Sequence, residues 1–548
     1  MTQRTEHDET SHAGLQTPAA GAQEDAATDS PASRPSSLDI TSDELSVLSG
    51  LMTTLVADYF GSISALPVFP ETSAAEVAAR LRTSLPETGV AVERLMEDCR
   101  TLLDLSRHNG HPRFFGYVAS PSTPIGAYAD LIASALNQNV TSWRSAPAAT
   151  EIEHVVVRWL SSLIGYGEES HGLLTSGGSM ANLDALYIAH RTKATPAISR
   201  TGLWNAGAPM TLYVSDQAHH SIAKAADVLG LGRDQVRIVA SDAEYHLDVR
   251  ELRETIEADT RLGLRPFCVI ASAGTVNTGA VDPLAEIARV ALEHSLWFHV
   301  DGAYGALAAL DESKRARFAG LELADSVSLD PHKWLYAPVD CGCLLFRDRA
   351  AARAAFASAS NAEYIKVQEE NKEEAHAFWD YGIELSRRFR ALKIWLMLRY
   401  YGTRRITDSI SEDNQLALYL SELISESEDF ELLAPVELSI CCFRYLPHGA
   451  RARLANADDA GRARINTELN QLNERLLHIV QRGGRAYLSN ASLRGLSALR
   501  ACIVNFRTTR DDLRLTLDII REAANSASDG AGRTKGTEEI AGEGNSEQ

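Results

Sequence analysis

Ser326-Val327-Ser328-Leu329-Asp330-Pro331-His332-Lys333-Trp334 is the stretch that decides the fold. A short segment with alternating apolar residues carries a lysine, set between histidine and tryptophan, to the end of a predicted strand. Upstream, Leu296-Trp297-Phe298 runs into His299-Val300-Asp301-Gly302-Ala303-Tyr304, which puts Asp301 at a second strand end. Thirty-two residues separate Asp301 from Lys333, enough for a helical crossover between neighbouring parallel strands. Further apolar runs at 211–214, 267–271 and 343–346 alternate with helical stretches between about residues 130 and 347. Strands this short and apolar are covered on both faces, which predicts an α/β fold with a largely parallel sheet. Ligands of such sheets sit beyond the carboxyl ends of the strands, where Asp301 and Lys333 both fall.

A third element adds an anion site. Gly172-Leu173-Leu174-Thr175-Ser176-Gly177-Gly178-Ser179 leads directly into a good helix, Met180-Ala181-Asn182-Leu183-Asp184-Ala185-Leu186-Tyr187. Glycines let backbone amides approach an anion, hydroxyls add donors, and the helix N-terminus adds its positive end. Alone, such a turn is more often an ordinary helix cap. Ahead of an aspartate and a lysine it gains meaning. A fixed lysine can hold an aldehyde as a Schiff base, and a fixed aspartate can keep a pyridine nitrogen protonated. Both are what pyridoxal phosphate (PLP) chemistry requires. Tyr213-Val214-Ser215-Asp216-Gln217-Ala218-His219 follows another strand and offers a histidine that could lie over such a ring, although a surface turn explains His219 equally well.

The 548 residues exceed one average domain, and 45% hydrophobic content supports a sizeable core. A formal charge of −20 excludes nucleic acid and anionic membrane as natural partners. Seven cysteines with no C-x-x-C pair, four of them in apolar runs, fit a reducing cytoplasm. No secretory h-region and no uninterrupted apolar stretch long enough to span a membrane is visible. The triplets at Asn139 and Asn490 read as chance glycosylation matches. His108 and His111 have a metal-pair spacing without a third ligand, so no metal is expected.

Residues 1–38 and 526–548 are too poor in large apolar residues to bury a core and read as disordered tails. Residues 39–129 form a helical arm: Leu45, Leu48, Leu51, Leu55 and Tyr59 recur at helical spacing, and 91–105 repeats the pattern. The arm is expected to pack on a partner. Residues 130–405 form the large domain, ending in a long helical segment at 385–401. Residues 406–525 read as a small α+β domain with strands at 438–445 and 499–506 and helices at 466–481 and 509–524.

In this order the motifs resemble group II PLP-dependent decarboxylases, the family of aromatic L-amino acid decarboxylases. The resemblance rests on His111-Pro112-Arg113-Phe114-Phe115, Pro147-Ala148-Ala149-Thr150-Glu151-Ile152-Glu153, the Gly-Gly-Ser loop, Ser215-Asp216-Gln217-Ala218-His219, His299-Val300-Asp301-Gly302-Ala303, Asp330-Pro331-His332-Lys333-Trp334 and Arg387-Arg388-Phe389-Arg390-Ala391-Leu392-Lys393. It covers about residues 45–524. It implies a fold-type I PLP enzyme of the PLP-dependent transferase type, with a mostly parallel seven-stranded sheet and a homodimer whose active sites lie at the interface. It further implies that Lys333 carries the Schiff base, Asp301 pairs with the pyridine nitrogen, and His219 stacks on the ring. Gly178 and Ser179 would hold the phosphate, Thr275 and Ala303 would pack around the cofactor, and His332 would be its neighbour. One departure stands out: Asp330 occupies a position where the animal enzymes have asparagine, and a carboxylate facing phosphate would repel it.

The implied reaction removes CO2 from an L-amino acid and returns a proton to Cα. In the family that proton comes from a tyrosine on a mobile loop, for which Tyr364, ahead of the charged stretch 368–374, is the candidate. Family members with phenylalanine there tend to form aldehydes, so Tyr364 favours the amine. The implied substrate pocket contains Phe115, Tyr117, Thr141 and Trp143, with Val118, Ala119 and Thr141 smaller or more polar than usual. An aromatic substrate is expected. Arg113 and Arg144 leave open an acidic or otherwise polar amino acid, and an aldehyde-forming oxidative deamination remains the other alternative.

Overall fold

A computed structural model describes residues 38–195, 198–203, 207–356 and 374–538. Its described residues divide into two compact units between Leu55 and Val56. The first unit contributes the start of helix α1 (Ser42–Ser62), a helix with no buried residue.

The centre of the second unit is a seven-stranded sheet. The strands, numbered in chain order after a short β1 (Phe114–Phe115), are β2 (His171–Thr175), β3 (Met210–Ser215), β4 (Val236–Val239), β5 (Arg265–Ser272), β6 (Trp297–Asp301), β7 (Ser326–Leu329) and β8 (Gly342–Phe346). Their spatial order is β2-β8-β7-β6-β5-β3-β4. The pairs from β7 to β4 are parallel, and β8 runs antiparallel to both β7 and β2. All five strands read from the sequence are present. Most of their residues are buried, because helices cover both faces. Strands β2 and β4 escaped the sequence reading: β2 opens on exposed His171 and contains a glycine, and β4 carries an arginine and an exposed isoleucine.

A second sheet has the order β1-β11-β12-β10-β9, with β9 (Phe430–Leu432), β10 (Ile440–Tyr445), β11 (Tyr487–Leu493) and β12 (Leu496–Cys502). Strand β1 pairs in parallel with Tyr487 and Leu488, so a strand from the N-terminal arm completes the C-terminal sheet. Before it come α2 (Ala74–Leu81), which starts on a capping box between Ser73 and Glu76, and α3 (Val92–Asp104). After it come α4 (Pro124–Leu136), α5 (Pro147–Leu163) and α6 (Gly178–Lys193).

The expected helix at 385–401 begins only at Ala391 and runs to Glu426, past residues 405 and 406. Its break is Gly402, whose φ of 71° no helix interior accommodates. The last helix continues to Glu538, into the stretch read as a tail. Among the described residues, no helix is long and apolar enough to cross a membrane.

Candidate active site

The parallel strands deliver their carboxyl ends to one edge, and a cavity of about 390 Å³ opens there. Asp301 ends β6 and pairs in register with Ser272 of β5 and Ser328 of β7. The pairing explains its clamp. Asp301 Oδ1 accepts the Ala303 N–H at 3.1 Å and the Ser328 hydroxyl at 3.3 Å, and Oδ2 accepts the Asn182 amide at 2.9 Å. The carboxylate is fixed while its side chain still lines the cavity.

Asn182 links that clamp to two histidines. Its second N–H donates to Ser221 Oγ at 3.1 Å, and Ser221 Oγ lies 2.8 Å from His219 Nδ1. The Ser221 backbone N–H also donates to Nδ1 at 3.3 Å, which makes Nδ1 the acceptor and leaves Nε2 carrying hydrogen. Burial holds the His219 imidazole below its usual range, so it is neutral. Asn182 Oδ1 takes the Nε2–H of His299 at 3.0 Å, and His299 is pushed down to about 4 by complete burial. These two neutral histidines and one amide hold Asp301 without adding a charge.

Lys333 follows β7 on the short helix Pro331–Trp334. Neighbouring rings hold that helix rigid. Trp334 stacks on Tyr304 with centroids 5.1 Å apart and planes at 5°. Its indole N–H donates at 2.9 Å to Asp413, which also accepts the Tyr336 hydroxyl at 2.7 Å. Burial raises Asp413 to about 7. Lys333 Nζ lies 3.0 Å from Asp330 Oδ2.

Gly178 and Ser179 start α6, where the first amides have no intrahelical partner. A Cβ at Gly178 would stand 2.7 Å from Ala303 Cβ and 2.9 Å from Asp330 Oδ2, so only glycine leaves the cradle open. A lysine, a clamped carboxylate, an open helix N-terminus and a flat neutral histidine around one cavity fit the aldehyde, ring nitrogen, phosphate and face of pyridoxal phosphate. Thr275 and Ala303 line the same cavity.

Other expectations fall elsewhere. His332 turns away from the cavity, with Nδ1 2.7 Å from the Cys341 carbonyl. Phe115 is a correction: it is fully buried in the core of the second sheet with Phe430, Phe443 and Leu488, because pairing of β1 turns it inward. Tyr117 does line the cavity, half-exposed at φ 57°, with its hydroxyl 3.1 Å from Tyr487. Thr141 and Trp143 lie outside the lining, on a segment bridged to residues 376–378 through Trp143 N–H to His376 O (3.1 Å) and Phe378 N–H to Thr141 O (2.8 Å). Tyr364 lies outside the described residues. Arg113 is committed to Asp512 at 3.0 Å and the Arg485 carbonyl at 2.7 Å, and Arg144 is not part of the lining. His108 bonds Tyr59, and His111 Nδ1 accepts the Arg113 N–H.

The sequence reading missed Arg500. It lines the cavity, is 3% exposed, and donates to the carbonyls of Tyr117 (2.8 Å) and Asn277 (3.2 Å). Its Nη2 is buried without a hydrogen-bond partner. A guanidinium at a cavity wall suits a carboxylate. A charged residue inside the apolar run Leu499-Arg500-Ala501-Cys502 was the available signal. Asn182 carried no such signal, because its work depends on what α6 faces.

Known proteins resemble this chain over most of its length. The family model described as the pyridoxal-dependent decarboxylase conserved domain matches residues 75–446. An aromatic-L-amino-acid decarboxylase of Bacillus atrophaeus is 34% identical over 492 residues, covering 90% of this chain and 98% of that one. A phenylacetaldehyde synthase of Arabidopsis thaliana is 29% identical, covering 88% and 96%. A solved Oryza sativa structure, named as TDC with PLP and tryptamine, superposes with a TM-score of 0.81 at 27% identity, covering 89% of this chain and 99% of that one.

Proposed function

We propose that this chain, which belongs to the pyridoxal-dependent decarboxylase family and is a carboxy-lyase using pyridoxal 5'-phosphate, converts an aromatic L-amino acid to its amine and CO2. The observation that carries the substrate reading is the cavity's charge. Among the described residues it is lined, besides Lys333, by one cation, Arg500, which suits one α-carboxylate, while Tyr117 and Val118 offer apolar surface to a ring. The name of the Bacillus relative supports the same choice.

The bound cofactor supplies an electron sink for the pair left when CO2 departs. The remaining work falls to this chain's residues. Asp301 Oδ2, oriented by Asn182, holds a proton on the ring nitrogen. Lys333 holds the aldehyde covalently between turnovers. His219, anchored by Ser221, presents its face to the ring. Arg500, at the cavity wall, binds and orients the carboxylate. Tyr364 returns the proton to Cα. Residues 39–129 are the arm, 130–405 the cofactor domain and 406–525 the small domain.

The working form is a homodimer in the cytoplasm. Leu131, Ile132 and Leu136 of α4 are exposed together, as are Leu45, Val47 and Leu51 of α1, and apolar groups in such clusters suit burial against a second copy. All seven cysteines are free, which suits a reducing compartment.

The likeness to a phenylacetaldehyde synthase favours a second reading, in which aldehyde replaces amine. Purified, PLP-loaded protein given tryptophan, tyrosine, phenylalanine, dopa, glutamate and aspartate separates them. Amine and CO2 in equal amounts from an aromatic substrate are expected. Turnover of glutamate or aspartate alone would discard the substrate reading, and aldehyde with peroxide and ammonia would establish the second.

A further inference from the structure

Asp330 puts a buried carboxylate where a phosphate must enter. It is 2% exposed and leaves β7 facing the start of α6. Its Oδ2 lies 2.9 Å from the place of a Cβ on Gly178, and its Oδ1 lies 3.9 Å from that on Gly177. Oδ1 is buried and has no hydrogen-bond partner. Asp330 thus stands directly behind Gly178, which lines the cavity, so an anion seated on the α6 amides has this carboxylate as its neighbour across the glycine.

The surrounding charges do not neutralise two anions. Lys333, at 3.0 Å, is the cation that balances Asp330, and it is the residue that the aldehyde engages. His332 Nε2 stands 3.8 Å away, and burial holds that imidazole below its usual range. His219 is held down in the same way. On β8 and the turn before it, burial raises the thiols of Cys343 and Cys341, which stay neutral. Asp301, beyond Ala303, adds negative charge, and Asp340 is occupied by Arg388 and Arg390. A carboxylate and a phosphate dianion in one buried space cannot both stay fully ionised at low cost.

We infer that Asp330 makes docking of the phosphorylated cofactor proton-coupled. As the phosphate settles on the amides of Gly178 and Ser179, one proton enters from solvent and is shared between a carboxylate oxygen and a phosphate oxygen. No other bond forms or breaks. The asparagine of the animal enzymes would donate a hydrogen bond at this position without taking up a proton. The inference rests on the proposed reading of the site as a PLP site.

The test compares two full-length proteins, Lys333→Ala and Lys333→Ala with Asp330→Asn. Removing the lysine leaves PLP non-covalently bound and eliminates the lysine's own titration. PLP Kd is measured by equilibrium dialysis from pH 6 to 9. The ratio of the two Kd values should climb about tenfold per pH unit once the phosphate is a dianion, above a second pKa of about 6. Pyridoxal, which lacks the phosphate, should give a ratio independent of pH. A second measurement needs no change at Asp330. Calorimetry of the Lys333→Ala protein in buffers of different ionisation enthalpy should read about one more proton taken up with PLP than with pyridoxal at pH 8. A level PLP ratio and equal proton uptake would overturn the inference and leave the site reading standing. Failure of both proteins to bind PLP would overturn the site reading itself.

Discussion

His246 bridges two carboxylates, and its loss on alkaline titration should be measurable in stability. Nδ1 lies 3.1 Å from Asp242 Oδ2, and Nε2 lies 2.5 Å from Glu437 Oε1. Glu437 also pairs with Arg317 at 3.0 Å and accepts the Val281 N–H at 3.2 Å. The bridge ties the loop after β4 to the segment leading into β10. The hydrogen bond that His246 donates to Glu437 is the largest influence raising the imidazole from 6.5 to about 9, so His246 is an imidazolium at neutral pH. Although Asp242, Glu244 and His246 lie close enough to share an ion, both ring nitrogens are already engaged by carboxylates. A histidine raised in the folded state contributes its full stabilisation below its unfolded pKa of 6.5. That contribution disappears as pH rises through about 9. At about 1.36 kcal/mol per pH unit the rise amounts to about 3 kcal/mol. The assay is guanidinium unfolding of wild type and His246→Gln at pH 6.5, 8 and 10. The stability difference between the two proteins should shrink by about 2 to 3 kcal/mol from the lowest to the highest pH. A difference that stays constant across that range would refute the bridge.

Three further expectations concern the site and its supports. Asp301→Asn keeps the shape of the clamp and removes the charge that holds the ring proton, so kcat should fall about 100-fold or more with PLP still bound, read by steady-state CO2 release. Arg500→Lys should raise KM about 10- to 100-fold with a smaller change in kcat, since one charge-assisted hydrogen bond to the carboxylate is lost; an unchanged KM would remove Arg500 from substrate binding. Glu153 and Arg387 form an ion pair in which both side chains are 1% exposed, and Arg387 also donates to the carbonyls of Val140 and Leu174. Glu153→Gln leaves that guanidinium uncompensated and should cost about 3 to 5 kcal/mol, measured by denaturant unfolding.

What the sequence made legible follows from what is local. Strands β3, β5, β6, β7 and β8 are continuous apolar runs, and the cofactor residues sit at fixed offsets from their ends, so Lys333, Asp301 and Gly178 could be placed by reading along the chain. Strands β2 and β4 lacked that signal, with a glycine in one and an exposed isoleucine in the other. The misplacement of Phe115 has a different cause: pairing of β1 with β11, some 370 residues away, decides which way the side chain points. Asn182 and Ser221 were invisible for the same reason, whereas Arg500 carried a local signal, a charge inside an apolar run. Each matters through a partner on another element, and no single segment reveals that His219, Ser221, Asn182 and Asp301 form one chain of hydrogen bonds.

The central claim is that Lys333 holds the cofactor in this cavity. Borohydride reduction of the PLP-loaded protein followed by proteolysis and mass spectrometry tests it most directly. The account predicts one pyridoxyl-phosphate adduct per chain, located on Lys333. An adduct on another lysine, with Lys333 unmodified, would contradict it.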